Sequence, residues 1–353
     1  MTTETVLSVQ NGDTLGTVRR ILKTLLAEKF VDELLVPIEA PSADRVTPTI
    51  VRDPMQLNAA NPLAPVMRLN AASVLTHLQR DESGKILGAV LHPCELRAVI
   101  ELAKVGRIDL DRLMLIGVDC MGTYEPAVYA QIAHVSHVSP TDEMLHWTRQ
   151  GPIAPYRLRN ACQMCEHFTP EHADIAIGLI GMNIRDSIVV HAPANVAITL
   201  GLTTMLANTR EKAVTRLQGI RHHRREQAIA RAAQMISDPS ALFAALAPCT
   251  TCGKCLEACP FCGTTAFMPQ TMQAMHDDMW APSHFDLGMF GDLIALSRRA
   301  ASCVGCGMCE SACEKHVPLM AIQTALGQKV QEEYHYVPGR DIHERLPWAM
   351  AEE

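Results

Sequence analysis

Between residues 17 and 39 the chain reads TVRRILKTLLAEKFVDELLVPIE, and Val18, Ile21, Leu22, Leu25, Leu26 and Val31 recur on one helical face. That period predicts an amphipathic helix running into a strand. Asp13 or Thr14 can cap the helix, and Gly12 lies in the turn before it, where free N–H groups can receive a phosphate. Further on, KILGAVLH (85–92) reads as a short strand. PCELRAVIELAK (93–104) is helical, with Leu96, Val99, Ile100 and Ala103 at helix spacing, and LMLIGVDC (113–120) is another strand. This is a βαβ unit, so Cys94 and Cys120 fall just beyond the carboxyl ends of neighbouring parallel strands, the edge where open α/β sheets place their sites. Cys162 and Cys165 form a C-x2-C loop ahead of a third apolar stretch, ADIAIGLIG (173–181). The segment 208–236 carries Arg210, Lys212, Arg216, Arg221, Arg224, Arg225 and Arg231 without interleaved aromatics, and reads as a solvated connecting helix.

Length and composition narrow the class. The chain has 353 residues, which suggests two domains, and 48% hydrophobic against 20% charged residues is enough for a large core. A formal net charge of −7 argues against a general nucleic-acid or anionic-membrane binder. No apolar run reaches the roughly 18 residues of a membrane span, and the opening MTTETVLSVQ lacks the basic-then-apolar order of a secretory signal. A cytoplasmic protein is expected. Its 13 cysteines, an odd number, then favour metal ligation over a disulfide framework.

Nine of those cysteines lie between 249 and 313, and eight of them repeat one spacing, C-x2-C-x2-C-x3-C: Cys249, Cys252, Cys255, Cys259, and Cys303, Cys306, Cys309, Cys313. This is the bacterial ferredoxin run, in which three thiolates of one loop cap a cubane and the fourth reaches the other cluster. Crossed ligation is expected, with one cluster on Cys249, Cys252, Cys255 and Cys313 and another on Cys303, Cys306, Cys309 and Cys259. Zinc also takes four thiolates, but usually from paired C-x2-C knuckles. The insert 267–302 reads as largely helical, with Met268, Met272, Met275 and Met279 filling a core, and Cys262 is left over as a buried free thiol. Cys94, Cys120, Cys162 and Cys165 supply enough thiols for a third site, with zinc or unligated core cysteines as the alternatives. Glu95 and His92 flank Cys94 as a proton-transfer pair or, more ordinarily, a helix cap.

RNACQMCEHFTPEHADIAIGLIG (159–181) resembles the C-x-x-C-x-D-F-x-x-x-x-A-D-I-x-x-G-x-x-G pattern of the beta subunits of coenzyme F420-reducing hydrogenases and F420-linked formate dehydrogenases. NGDTLGTVRRILKTLLAEKFVDELLV and GAVLHPCELRAVIEL are similar to that family's opening turn-helix-strand and its strand, Pro-Cys turn and helix. His167 stands where the family often has an acidic residue, and NAANPLAPV where it usually has a Ser-Lys-Tyr segment. The resemblance implies one [4Fe-4S] cluster on Cys94, Cys120, Cys162 and Cys165, and FAD contacts at Gly12, Asn61, Pro62, Pro93, Asp174, Gly178 and Gly181. The cysteine-rich end is similar to the helical two-cluster subunit of heterodisulfide reductases.

Together these readings give an α/β (α+β) flavin and iron-sulfur domain over 1–205, a connecting helix over 206–240, a mainly helical ferredoxin-like module over 241–330 and a tail over 331–353. The expected function is an electron-transfer subunit in which FAD serves a soluble hydride carrier, F420 or NAD(P), and three [4Fe-4S] clusters lead to the catalytic subunit of a formate dehydrogenase or hydrogenase. A self-contained oxidoreductase acting on F420 or NAD(P), a heterodisulfide-reductase-type partner, and a scaffold with structural zinc are the alternatives.

Overall fold

The computed structural model describes residues 3–78, 84–135, 137–146, 157–206, 209–262 and 299–350. Most of the insert expected to be helical, with its four methionines, lies outside them. The core element is an eight-stranded sheet in the order β3-β2-β4-β5-β6-β7-β1-β8. Its strands are β1 (Thr3–Ser8), β2 (Glu33–Glu39), β3 (Val46–Val51), β4 (Leu87–Leu91), β5 (Leu113–Val118), β6 (Ile175–Gly178), β7 (Ser187–His191) and β8 (Thr203–Leu206). The inner strands β2, β4, β5 and β6 run parallel; β3 at one margin and β7, β1 and β8 at the other are antiparallel to their neighbours.

The apolar period that suggested the first helix has its cause in packing. In α1 (Thr14–Ala27), Val18, Ile21, Leu22, Leu25 and Leu26 are all buried against one sheet face, as is Val31 beyond its end. Asp13 caps it by accepting the Gly16 N–H at 2.7 Å. Side chains alternate across the sheet: Val90, Ile116 and Val118 join α1, whereas Ala89, Leu91, Leu113 and Leu115 pack on the other face with α2 (Ala71–Leu78) and α3 (Pro93–Lys104). That second cluster also takes in Phe261 and Val304 from the cysteine-rich region, which therefore shares a core with the α/β domain.

Helices α4 (Pro126–Val135), α5 (Pro140–His146), α6 (Asn160–Gln163) and α7 (Ala194–Leu200) complete the first domain. The long α8 (Thr209–Ser237), then α9 (Pro239–Leu246), α10 (Lys254–Ala258), α11 (Met308–Ser311) and α12 (Leu319–Glu333) follow. Among the described residues no helix is long and apolar enough to cross a membrane.

Two expectations change here. The basic helix is not merely solvated, because three of its arginines turn inward. Arg210 grips the buried Asp119 carboxylate through both nitrogens (2.5 and 3.0 Å), Arg221 is buried, and Arg225 pairs with Glu166 at 3.2 Å. The segment after 331 is not a loose tail either. Tyr336 is buried, its hydroxyl donates to Glu101 of α3, and Gly339 donates its N–H to the same carboxylate at 2.8 Å.

Asp119 is wholly buried and also accepts the N–H groups of Leu179 (2.7 Å) and Ile180 (2.9 Å), so it ties the ends of β5 and β6 to α8. Arg210→Met leaves that carboxylate without its counter-charge. A loss on the order of 3 kcal/mol is expected, read as a lower urea midpoint of the full chain; an unchanged midpoint would show that the backbone N–H groups alone suffice.

Candidate metal centre

Where β4 ends, His92 breaks the strand and Pro93 opens α3, setting Cys94 in its first turn. Glu95 closes this turn: one carboxylate oxygen accepts the His92 N–H (2.8 Å) and lies 2.9 Å from His92 Nδ1, and the other accepts the Ala71 N–H (2.8 Å). Burial pushes the Glu95 carboxyl up, but the bonds from His92 and Ala71 outweigh it and hold the group below the ordinary range. Glu95 is therefore a fixed acceptor, which settles its role as a cap. At the end of β5, Cys120 donates its N–H to the Phe168 carbonyl at 2.9 Å, which draws the loop carrying Cys162 and Cys165 over the sheet edge.

A cavity of about 350 Å³ lies there, lined by Cys94, Cys120, Cys162 and Cys165 together with Met67, Pro93 and Phe168. Burial raises the Cys94 thiol well above its usual value, raises Cys165, and with the neighbouring Cys162 and Cys165 lifts Cys120 to about 12. Cys162 is the exception. Burial acts on it too, but Arg159 and the Thr123 hydroxyl and N–H, each 3.3 Å from its sulfur, bring it below the usual thiol range. Arg221 donates to the carbonyls of Met121 (2.7 Å) and Cys165 (3.3 Å) and lies over the Phe168 ring at 4.7 Å. Four convergent thiols in an apolar pocket, flanked by buried cations, fit an anionic cluster of the thiolate-ligated kind.

The remaining cysteines divide as crossed ligation requires. Cys303, Cys306 and Cys309 all lie within electrostatic reach of Cys259, and Cys255 feels Cys313 and Cys249. Burial lifts Cys303 to about 12 and Cys306 to about 11, whereas Cys249 and Cys252 are exposed. Cys262 is a free thiol hydrogen-bonded to the sulfur of Cys259, so it sits beside the second set and not apart from it. The first and second sets touch through Gly307, which has φ of +71° and sits where a Cβ would overlap the Ala161 side chain, next to Cys162. Among the described residues no three His, Cys, Asp or Glu side chains gather around one metal-ion position.

The flavin candidates divide as well. Gly12, Asn61, Pro62, Pro93, Gly178 and Gly181 lie toward the edge formed by the carboxyl ends of the parallel strands. Asn61 reaches it by donating its backbone N–H to Pro37 of β2 at 2.8 Å. A second cavity of about 320 Å³ there is lined by Pro62, Leu63, His92, Asp119, Cys120 and Leu179 among others, near the lower limit for small-molecule sites. Beside it the Asn61 amide is buried: its nitrogen donates to Thr141 (2.9 Å) and Glu39 (3.2 Å), but its oxygen has no partner. An orphaned acceptor next to a cavity fits a ligand N–H. Gly178 is covered, since a Cβ there would stand 2.7 Å from the Arg210 guanidinium carbon. Gly12 precedes a helix whose first turn Asp13 already caps, which leaves less for a phosphate. Asp174 is not part of this edge: it precedes β6 at the opposite end of the strand and accepts the Leu115 N–H at 2.7 Å.

Residue patterns did not single out Asp119, Arg97 or Arg159. The last two occupy fixed offsets from a cysteine, three after Cys94 and three before Cys162, but an arginine at such an offset carries no periodic or motif signal.

Comparison with known proteins gives two family matches. Residues 84–213 match the family described as the C terminus of the coenzyme F420 hydrogenase/dehydrogenase beta subunit, and residues 245–342 match the 4Fe-4S dicluster domain. The chain is 22% identical to the F420-dependent formate dehydrogenase subunit beta of Methanocaldococcus jannaschii, over 92% of each chain. It is 26% identical to the F420-dependent formate dehydrogenase 1 subunit beta of Methanococcus maripaludis, over 51% of each. A chain of the F420-reducing [NiFe] hydrogenase complex from Methanosarcina barkeri superposes with a TM-score of 0.49 at 14% identity, over 68% of this chain and 94% of that one. The Pro-Cys turn, the C-x2-C loop and the doubled ferredoxin spacing thus stand inside the matched stretches, and the chain belongs to the coenzyme F420 hydrogenase/dehydrogenase beta subunit family of oxidoreductase subunits, with a 4Fe-4S dicluster domain following.

Proposed function

We propose that the chain is an iron-sulfur flavoprotein electron-transfer subunit of a cytoplasmic formate dehydrogenase or hydrogenase. In this reading FAD exchanges hydride with a soluble carrier, F420 or NAD(P), and three [4Fe-4S] clusters lead to a separate catalytic subunit. The observation that carries it is the distribution of thiols: one set at the sheet edge, a second buried against it, and a third with Cys249 and Cys252 at the surface. Such a series has an inner end beside a cavity and an outer end where another protein can be met. The relatives' names, beta subunits of F420-dependent formate dehydrogenases, point the same way.

The ligands are assigned as Cys94, Cys120, Cys162 and Cys165; Cys259, Cys303, Cys306 and Cys309; and Cys249, Cys252, Cys255 and Cys313. A bound flavin would supply the conversion of two-electron hydride chemistry into single electrons. The chain's own part is preparation of the sites. Thr123 and Arg159 hold Cys162 toward its thiolate, Glu95 fixes the turn that aims Cys94, and Asn61 offers its free oxygen to a ligand beside the Cys120 loop. Domain limits near 205, 240 and 330 follow the passage from sheet to α8 and from the cysteine-rich region to α12.

Anaerobic preparation should yield about twelve iron per chain, on the cubane stoichiometry of three four-thiolate sites. Cys313→Ala should disturb the site of Cys249, Cys252 and Cys255. Damage confined to the site of Cys303, Cys306 and Cys309 would reject the crossed wiring, and zinc in place of iron would favour a scaffold.

Acid denaturation should release FAD from the iron-loaded chain; its absence would leave a one-electron relay without hydride chemistry. The isolated chain should reduce a viologen dye from a reduced hydride carrier yet not oxidise formate or hydrogen. Turnover of either above roughly 1 per second would contradict the need for a catalytic partner.

A further inference from the structure

Two arginines cross from the first thiol set to the second. Arg159, 3% exposed, lies three residues before Cys162. Its Nε donates to the Thr123 hydroxyl (2.7 Å) and Nη2 to Cys162 Sγ (3.7 Å), while Nη1 reaches Met308 Sδ and Ser311 Oγ, each at 3.3 Å. Met308 lies between Cys306 and Cys309 in sequence. Arg97, 9% exposed, lies three residues after Cys94. It donates to the Val304 carbonyl (3.1 Å), in the turn between Cys303 and Cys306, and to the Pro338 carbonyl (2.7 Å). Each guanidinium is thus rooted next to one set and ends on the loop that carries the other.

Neither is ion-paired with a carboxylate among the described residues, although a guanidinium stays charged in a protein and an uncompensated buried charge is costly. Glu101, which stands on the helix of Arg97, is engaged instead by Lys104, Tyr336 and Gly339. The negative groups near Arg159 are Cys162, Cys94 and Cys306, with Glu125 weaker; those near Arg97 are Cys165, Glu101, Cys94 and Cys303. Each arginine therefore faces thiols of both sets. Neutral glutamines could make comparable hydrogen bonds, so the choice of a permanent charge calls for a reason beyond docking.

We propose that Arg97 and Arg159 are shared positioning residues that hold the second thiol set against the first and, by their charge, make both sets easier to reduce. The inference rests on the iron-sulfur reading above. One electron arriving at either set adds one negative charge between the two guanidiniums, with no bond made or broken and no proton moved. Passage onward oxidises the first set and reduces the second by one electron. A fixed positive charge in this seam favours the reduced form of each, so its loss must lower both reduction potentials.

The test is a redox titration of the anaerobically prepared full chain, followed by electron paramagnetic resonance, with iron counted in every sample. Arg159→Gln and Arg97→Gln should each retain the iron of the unmodified chain. Each should lower the reduced-to-oxidised ratio of both the Cys94 and the Cys303 sites at a fixed potential by about tenfold, equivalent to about 59 mV for a one-electron couple. The exposed Cys249 site should move less and serves as an internal reference. Should a glutamine variant not accumulate, Arg159→Lys and Arg97→Lys are measured in its place. They keep the charge while losing part of the hydrogen-bond fork, so both potentials must stay near those of the unmodified chain. Full iron with unmoved potentials in the glutamine variants, a shift at one site only, or a tenfold fall in the lysine variants overturns the proposal. An unmodified chain without iron instead overturns the reading on which it rests.

Discussion

Parallel alignment of β4, β5 and β6 is the constraint from which the first thiol site follows. Parallel neighbours leave the sheet at the same edge, so the turns after β4, β5 and β6 are brought side by side however far apart they lie in sequence. Cys94 and Cys120 occupy two of those turns. The N–H of Cys120 then binds Phe168 and brings in the Cys162–Cys165 loop, while Asp119 fastens the third turn through Leu179 and Ile180. The second set depends on the same edge, since its loops pack on Ala161 and on the carbonyl partners of Arg97. A site of this kind needs no long rigid loops, because the sheet supplies the rigidity and the turns need only be short.

Much of this was legible because it is local or periodic. The face of α1, the βαβ unit around Cys94 and the doubled cysteine spacing each depend on residues within one helix, one crossover or one loop. The family resemblance likewise rests on contiguous stretches, and the match over 84–213 agrees with it. What escaped is long-range. Arg210 reads as one more charge on a basic helix until α8 lies against the sheet, and its partner Asp119 is 91 positions earlier. Tyr336 looks like part of a polar tail, yet its partner Glu101 is 235 residues away. Antiparallel β1, β7 and β8 are short and carry little pattern of their own; pairing, not composition, makes them strands. Asp174 shows a different failure: its motif position suggests a ligand contact, whereas here it bonds the backbone of β5 at the far edge.

Polar groups inside this molecule are spent on joining parts more than on filling them. Asp119 joins sheet and helix, Glu101 joins α3 to the segment at 336–339, and Arg97 and Arg159 join the α/β domain to the dicluster domain. Apolar residues contribute to the same seam, with Phe261 and Val304 in one cluster with Leu96 and Leu102. The boundary between the two domains is therefore a shared core with polar cross-ties, unlike the wet, loosely held interface of domains that swing against one another.

The placement of β1 bears on how the chain reaches this state. The first strand lies between β7 and β8, with Val6 opposite both Val189 and Thr203. On a ribosome the strand made first must wait for nearly two hundred residues before either neighbour exists. During that interval β4 and β5, joined by one short crossover, can already pair, so the parallel centre has the means to form before the antiparallel margin. Growth of the sheet from its middle outward would leave the margin exposed longest, and the polar Thr3, Glu4 and Thr5 of β1 are suited to that wait because they offer little apolar surface to a wrong partner.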